Sequence, residues 1–360
     1  MPLIKDCLVI IPALNPKQNI LSYVDEIIHE GFTDVVIVND GSDAKYGPIF
    51  EELTKMENVT VLTHSVNKGK GVALKYGLEY FLMHYNEHDW HGVITVDADG
   101  QHLVKDLIKV YGELENTKRW LVLGTRDFDE SHVPKKSKFG NKMTTSIFRL
   151  FYGKIINDTQ TGLRGISHDL VNDFLTAEGN RFEYEINMLI KAVKDGVFIR
   201  EVPIETVYIN ENESSHFRPF IDSFLIYRHL LKHFLLFIGV AITSSAIDFS
   251  IFQLLITLFG FIISSSMRIS IAAVIARLCS SLYNYFMNKH FVFNNKQKIS
   301  KSIFRYYLLM VTELVVSTIL VIIVYRLTFF SEVISKILVD SVIFFFSFFI
   351  QRYLVFRKIK

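Results

Sequence analysis

Apolar residues follow two different regimes along the chain. Up to about residue 230, short β-branched runs alternate with segments whose apolar positions recur at helical spacing. Runs at Cys7–Ile11, Val35–Val38, Val59–Leu62, Gly92–Val96, Trp120–Gly124 and Val197–Ile199 read as strands. Segments at Ile20–His29, Val72–His84 and Leu103–Glu115 read as helices, as does the apolar stretch Lys142–Leu150. This alternation predicts βαβ units, hence an α/β, Rossmann-like domain on a mainly parallel sheet. Such sheets bind ligands beyond the carboxyl ends of their strands, so the residues that follow each strand are the ones to inspect.

Past residue 230 the pattern changes. Apolar segments at about 234–259, 267–287, 306–326 and 333–355 each approach the ~20 residues needed to cross a bilayer. Four such segments leave no polar face for a soluble bundle, and predict an all-α, four-helix transmembrane domain. The chain thus divides into a domain at 1–215, an amphipathic juxtamembrane helix at 216–233 and the membrane domain at 234–360. Charge follows the same division. Residues 234–360 hold 13 basic and 4 acidic side chains, a net +9, against 26 and 33 before them, a net −7.

Basic residues also orient the spans. Arg228 and Lys232 precede the first. Lys289, Lys296, Lys298, Lys301 and Arg305 lie between the second and third, and Arg352, Arg357, Lys358 and Lys360 follow the fourth. The positive-inside rule then places both termini and the first domain on the cytoplasmic side of the cell membrane. The opening residues carry no pattern of a secretory signal. Asp248, Arg277, Glu313 and Asp340 fall near mid-segment. A charge there costs at least ~2.5 kcal/mol, so Arg277 is expected to pair with one of the acids. Cys7 and Cys279 are too far apart in kind and position to predict a disulfide or a cysteine metal site. A composition of 50% hydrophobic and 21% charged residues excludes a disordered or collagen-like chain.

Candidate chemistry gathers after the strands. Asn39-Asp40-Gly41-Ser42 offers a turn with a carboxylate able to accept from a base or ribose. Asn67-Lys68-Gly69-Lys70-Gly71 opens a helix with the glycines, lysines and outward N–H groups that suit a diphosphate, but lacks Walker A spacing. Asp97-Ala98-Asp99-Gly100-Gln101-His102 ends the fourth strand. Its Asp97, Asp99 and Gln101 oxygens can converge on a hard divalent cation, Mg²⁺ or Mn²⁺. Further on come Arg126, the basic cluster Lys135, Lys136 and Lys138, and the polar loop Asp158–Gly165 with Arg164. A basic helix beside a membrane can anchor to headgroups or bind a lipid's phosphate, and the second reading is favoured here.

Six of these motifs occur in an order that resembles a known family. Ile11-Pro12-Ala13-Leu14-Asn15, Val38–Ser42, Asn67–Gly71, Asp97–His102, Asp158–Arg164 and Arg200–Ile204 are similar to those of family 2 glycosyltransferases with the GT-A fold. The likeness is to the polyprenyl-phosphate sugar synthases related to dolichol-phosphate mannose synthase, and it spans about residues 5–210. The second half resembles the GtrA family of four-span membrane proteins. Phe237–Val240, Ile247-Asp248-Phe249, Tyr283–Lys289, Phe291–Phe293 and Phe304–Tyr306 carry that likeness. There are departures: the family's usual Asn-Glu is Asn15-Pro16, its double Asp is Asn39-Asp40, and an expected arginine is Lys136 or Lys138.

The resemblance implies inverting transfer of a hexose from a nucleotide sugar, first of all UDP-glucose, to a polyprenyl phosphate such as undecaprenyl phosphate. It implies nucleotide-sugar contacts at Pro12, Ala13, Asn15, Asp40, Lys70, Asp97, Ala98 and Asp99, and a metal at Asp97, Asp99 and Gln101. Arg126, Lys138 and Arg164 would grip phosphates. The bilayer and a homo-oligomer are expected partners; nucleic acid is not. Two rivals stand beside this reading. A processive polysaccharide synthase would carry Gln-x-x-Arg-Trp, which the sequence lacks. A lipid-linked sugar translocator with a degenerate transferase half is opposed by the intact Asp97, Asp99 and Gln101 set.

Overall fold

The computed structural model describes residues 3–88, 90–114, 118–130, 133–205, 218–259 and 265–357. Glu115, residues 216–217 and the tail lysines Lys358 and Lys360 lie outside them. The chain forms two units, Met1–Leu230 and Leu231–Lys360.

The first unit is built on seven strands: β1 (Cys7–Ala13), β2 (Val35–Asn39), β3 (Val59–Thr63), β4 (Gly92–Thr95), β5 (Trp120–Arg126), β6 (Arg164–Ser167) and β7 (Phe198–Ile204). They form one sheet in the order β3-β2-β1-β4-β6-β5-β7. β1 sits centrally between β2 and β4 with every residue but Pro12 buried, which is why it reads as an unbroken apolar run. Its side chains alternate between the faces: Leu8 and Ile10 join one core with Phe81, Trp90 and Tyr184, while Val9 and Ile11 join the other with Val24, Ile27 and Leu107.

Helices cover both faces: α1 (Asn19–His29), α2 (Gly47–Leu53), α3 (Lys70–His88), α4 (Val104–Leu114), α5 (Lys135–Tyr152), α6 (His168–Leu175), α7 (Glu183–Asp195) and α8 (Pro219–Leu230). α8 falls within the predicted juxtamembrane segment but packs as part of the first unit. Tyr227 Oη lies 3.1 Å from Thr144 Oγ1 of α5, and His229 Nδ1 lies 3.1 Å from Asn187 Nδ2 of α7.

The expected strands all form, and one more appears. Arg164–Ser167, read from sequence as part of a polar loop, runs antiparallel to both β4 and β5. Four residues buried by the strands on either side and the helices over them carry no periodic signal of their own. β7 is likewise longer than its predicted three residues, because parallel pairing with β5 holds it from Phe198 to Ile204. Pro203, which cannot donate to a ladder, is tolerated there because β7 is an edge strand.

Among its described residues the second unit contains four helices long and apolar enough to cross a membrane: α9 (Lys232–Leu258), α10 (Ser265–Met287), α11 (Ile299–Leu327) and α12 (Glu332–Ile350). α10 and α12 each continue into a π-helical turn, at Asn288–Val292 and Gln351–Val355. Lipid gives no hydrophobic drive for helices to associate, so close packing and polar contacts must do so. Small buried residues on α10, Ala272, Ala276 and Ser280, bring it close to α9. Arg277 finds its acid there: its Nε lies 3.7 Å from Asp248 Oδ1, which also accepts from Ser280 Oγ at 2.8 Å.

The sheet and α3 touch at Gly77, where a Cβ would lie 2.5 Å from Ile10 Cγ2. Gly77→Ala should therefore lower the thermal unfolding midpoint of the full chain. Overpacking of ~1–3 kcal/mol outweighs the ~0.5–1 kcal/mol that alanine gains in a helix.

Candidate active site

The loops after β1 and β2 are stitched to each other. Asn15 takes a left-handed backbone, φ 47°, a conformation asparagine adopts more readily than most residues. Its Oδ1 accepts from the Asp43 N–H at 2.8 Å, and its own N–H donates to Ser42 Oγ at 2.8 Å. Asn39 Oδ1 accepts from the Ser42 N–H at 2.9 Å. Two of the three departures from the family pattern, Asn15-Pro16 and Asn39-Asp40, thus lie in connected turns.

Asp40 is buried and clamps the start of α3. It accepts from the N–H groups of Lys68 and Gly69, at 3.0 and 2.7 Å, and its Oδ1 lies 2.8 Å from His64 Nδ1. A carboxylate has about four acceptor positions, so most of this one's capacity goes to the chain itself. Gly69 has φ 102°, and a Cβ there would lie 2.5 Å from the Asn180 carbonyl oxygen. Glycine is needed for that backbone to pass.

The next residue, Lys70, places its ammonium between two carboxylates. Nζ lies 2.7 Å from Asp97 Oδ1 and 3.0 and 3.1 Å from the two oxygens of Glu185. Burial alone would depress the Lys70 pKa, but Asp97 and Glu185 outweigh it and hold the ammonium well above its ordinary value. Burial likewise opposes ionisation of Asp97, yet Lys70, with His102 behind it, keeps its carboxyl well below the usual range. Asp99 moves the other way. Burial and the neighbouring Asp97 charge raise it, although its Oδ1 accepts the Gln101 N–H at 3.0 Å. Gly162, from the loop before β6, presses on this group: a Cβ there would lie 2.3 Å from Asp97 Oδ2.

A cleft of about 330 Å³ opens over these loops. All eight residues expected to contact a nucleotide sugar line it: Pro12, Ala13, Asn15, Asp40, Lys70, Asp97, Ala98 and Asp99. Gln101, Arg126, Lys138 and Arg164 are not in its lining. Arg126 is forked onto buried Asp158, with Nε 2.7 Å from Oδ2 and Nη2 3.2 Å from Oδ1. Lys138 pairs with Asp129 at 2.8 Å. Hydrogen bonds from Lys138 and Lys142 pull the Asp129 pKa down to about 2. Arg164 is fully buried and braces the interior, donating to the Thr161 and Glu185 carbonyl oxygens at 2.9 and 2.7 Å.

Sequence reasoning missed Tyr46, Arg181 and Phe182, which also line the cleft. Phe182 lies under the Lys70 ammonium, 5.6 Å from ring centroid to Nζ. Glu183 Oε1 accepts from the N–H groups of Asn180 and Arg181 at 2.9 and 3.2 Å, which fixes the turn into α7. Gly179-Asn180-Arg181-Phe182-Glu183, a glycine turn followed by a glutamate, was the legible signal.

Among the described residues no group of three or more His, Cys, Asp or Glu side chains is drawn together to hold a metal ion. Asp97 and Asp99 nonetheless fit a hard divalent cation. Both offer oxygen to the same cleft, and each carboxylate opposes the other's charge. Gln101 contributes its backbone N–H to Asp99.

Comparison with known proteins agrees with this architecture. Residues 8–175 match the model of glycosyl transferase family 2, and residues 236–356 match the GtrA/DPMS transmembrane domain. A protein of uncharacterised function from Methanocaldococcus jannaschii is 32% identical over 204 residues, which is 56% of this chain and 81% of that one. The UDP-N-acetylglucosamine–dolichyl-phosphate N-acetylglucosaminyltransferase of Methanococcus voltae is 30% identical over 241 residues, 62% of this chain and 94% of that enzyme. A dolichyl-phosphate beta-glucosyltransferase of Dictyostelium discoideum is 26% identical over 252 residues, 62% and 72% of the two chains. With its GT-A-like sheet, the cleft at the strands' carboxyl ends and four apolar helices behind them in sequence, the chain belongs to the family 2 glycosyltransferases that carry a GtrA/DPMS transmembrane domain.

Proposed function

We propose that the protein transfers a hexose from a nucleotide sugar to a polyprenyl phosphate, with inversion, at the cytoplasmic face of the cell membrane. The observation that carries this reading is the cleft in which the residues expected for a nucleotide sugar come together, Asp97 and Asp99 among them. Relatives that act on dolichyl phosphate support a polyprenyl phosphate as acceptor. UDP-glucose is the first candidate donor, and the basic inner ends of the spans support the orientation.

The chemistry asks little of a base. A phosphate monoester has a second pKa near ~6, so the acceptor is largely dianionic at neutral pH. One of its oxygens attacks the anomeric carbon, a new C–O bond forms, and the bond to the donor's diphosphate breaks with that electron pair leaving on the nucleoside diphosphate. Alignment and charge are the harder requirements. Asn15, Asp40 and the α3 start form the nucleoside side of the cleft. Lys70 brings positive charge to the diphosphate while Glu185 keeps it in place. Asp97 and Asp99 would hold Mg²⁺ or Mn²⁺, whose contribution is to neutralise charge on the departing diphosphate. Arg126, with Asp158 fixing one edge of its guanidinium, and Lys138 on α5 are the groups proposed to receive the acceptor's phosphate. Buried Arg164 positions the Thr161 to Gly162 turn and α7.

Asp99→Ala is expected to reduce transfer of radiolabelled sugar into the organic phase by at least ~100-fold, with an unchanged circular-dichroism spectrum. Near-normal turnover, or full activity after chelation with EDTA, would overturn the metal role. Long aqueous polymer as product would favour a processive synthase, and no product with any nucleotide sugar would favour a translocator. Gly162→Ala tests the contact behind Asp97. Its methyl group must displace the carboxylate from Lys70, so kcat should fall ~10-fold or more, and the unfolding midpoint should fall with it as the buried pair is disturbed.

A further inference from the structure

Besides Lys70, two cations line the cleft, Lys17 and Arg181. Lys17 is exposed on the loop after β1, whereas Arg181 is built into its surroundings. It stands in the turn before α7, which packs on the first turn of α3. The Asn180 carbonyl oxygen accepts the Val72 N–H at 3.1 Å. The Arg181 stem lies on Gly69, where a Cβ would come within 2.8 Å of its Cγ. Arg181 thus joins the cleft beside Gly69 and Lys70.

Behind it stands a carboxylate from another element. Asp222 shares a buried stripe of α8 with Ile226 and Leu230, each four residues from the next. Two positions of that stripe are apolar, as the core beneath requires, while the third buries a charge completely. Arg181 Nε lies 3.4 Å from Asp222 Oδ1, and neither atom has a hydrogen-bond partner among the described residues. Asp222 Oδ2 accepts the Arg218 N–H at 2.7 Å, and Arg218 Nη2 lies 3.6 Å from Oδ1. Apolar side chains often replace a buried ion pair at no loss of stability, so stability does not explain a carboxylate there. The charges around it are also uneven. Lys70 stands against two carboxylates, on the side that fits a metal ion. At Asp222 two guanidinium groups stand against one carboxylate, an excess of positive charge that suits an anion.

We infer that Arg181 binds the phosphates of the nucleotide donor, with Asp222 as its positioning residue. The inference rests on the nucleotide-sugar reading of the cleft. A planar guanidinium steadied at Nε offers its remaining N–H groups to phosphate oxygens in a fixed direction, which an ammonium does not. α8 ends at Leu230 and α9 starts at Lys232, so the helix that leads into the first span also sets how the donor is held.

Binding of UDP and of GDP to the full-length chain in detergent, with Mg²⁺ present, tests this without glycosyl transfer. Arg181→Ala should weaken whichever of the two the wild type binds by at least ~10-fold, as loss of a charge-assisted hydrogen bond requires. The matching nucleoside, which has no phosphate, should bind the variant as it binds the wild type, and Arg181→Lys should recover only part of the loss. Asp222→Asn keeps the shape of α8 and should weaken the same nucleotide by about 3- to 10-fold, yet cost nothing further in an Arg181→Ala chain. A carboxylate that merely held α8 in place would cost as much with Arg181 absent. In transfer assays the donor KM should rise and the acceptor KM stay. The inference is overturned if Arg181→Ala binds the nucleotide like the wild type, if only the acceptor KM rises, or if the Asp222→Asn loss persists undiminished without Arg181. A wild-type chain that binds neither nucleotide would instead overturn the nucleotide-sugar reading, and this inference with it.

Discussion

Three charges hold the first unit's working edge together: the Lys70 ammonium and the carboxylates of Asp97 and Glu185 on either side of it. An ammonium so far removed from water is stable with its partners in place, and costly with one of them gone. The arrangement constrains more than its own atoms. Lys70 is the first residue of α3, Asp97 follows β4 and Glu185 belongs to α7, so one cluster ties three elements at a point. The Glu185 backbone carbonyl then accepts from Arg164, which brings the first residue of β6 into the same set. Asp40 does the corresponding work one turn earlier, holding the N–H groups of Lys68 and Gly69. The cleft is rigid because its charged lining is also its scaffolding.

The two units solve the problem of cohesion by different means. In the first, water drives Leu8, Val9, Ile10 and Ile11 into cores on opposite faces of the sheet, and hydrogen bonding is left to specify the loops. In the second, apolar surface gains nothing by leaving lipid. Small side chains on α10, Asn288 against Gln351, and Ser280 against Asp248 take over as the contacts that define which helices meet.

What could be read from the residues follows from this. Strands β1 to β5, the principal helices and the four spans announce themselves by period and length, because burial on a whole face imposes a repeating pattern. The side of the cleft built by the loops after β1, β2 and β4 was legible as well, since its residues sit directly after strands in turns rich in glycine and asparagine. Arg164 was misread because a short arginine-bearing strand looks like a polar loop until its neighbours bury it. That Asp158, 32 positions on, holds one edge of the Arg126 guanidinium was hidden, because sequence does not reveal contacts across that separation. Tyr46 escaped notice since long-range packing, not local pattern, brings it to the opening, while Arg181 and Phe182 sit in a turn whose glycine and glutamate signal a helix start but say nothing of a cleft.

β6 runs against its neighbours, and this decides which stretch of chain comes up behind Asp97. After a parallel strand it is the following loop that reaches the active edge; for β6 it is the preceding one, residues 158–163. The loops that line most of the cleft therefore come from the first hundred residues, while Gly162, which backs Asp97, and Arg181 and Phe182, which complete the lining, come from a later block. Changes downstream of β5 can thus alter what presses on Asp97 and closes the opening while the earlier loops pass on unaltered.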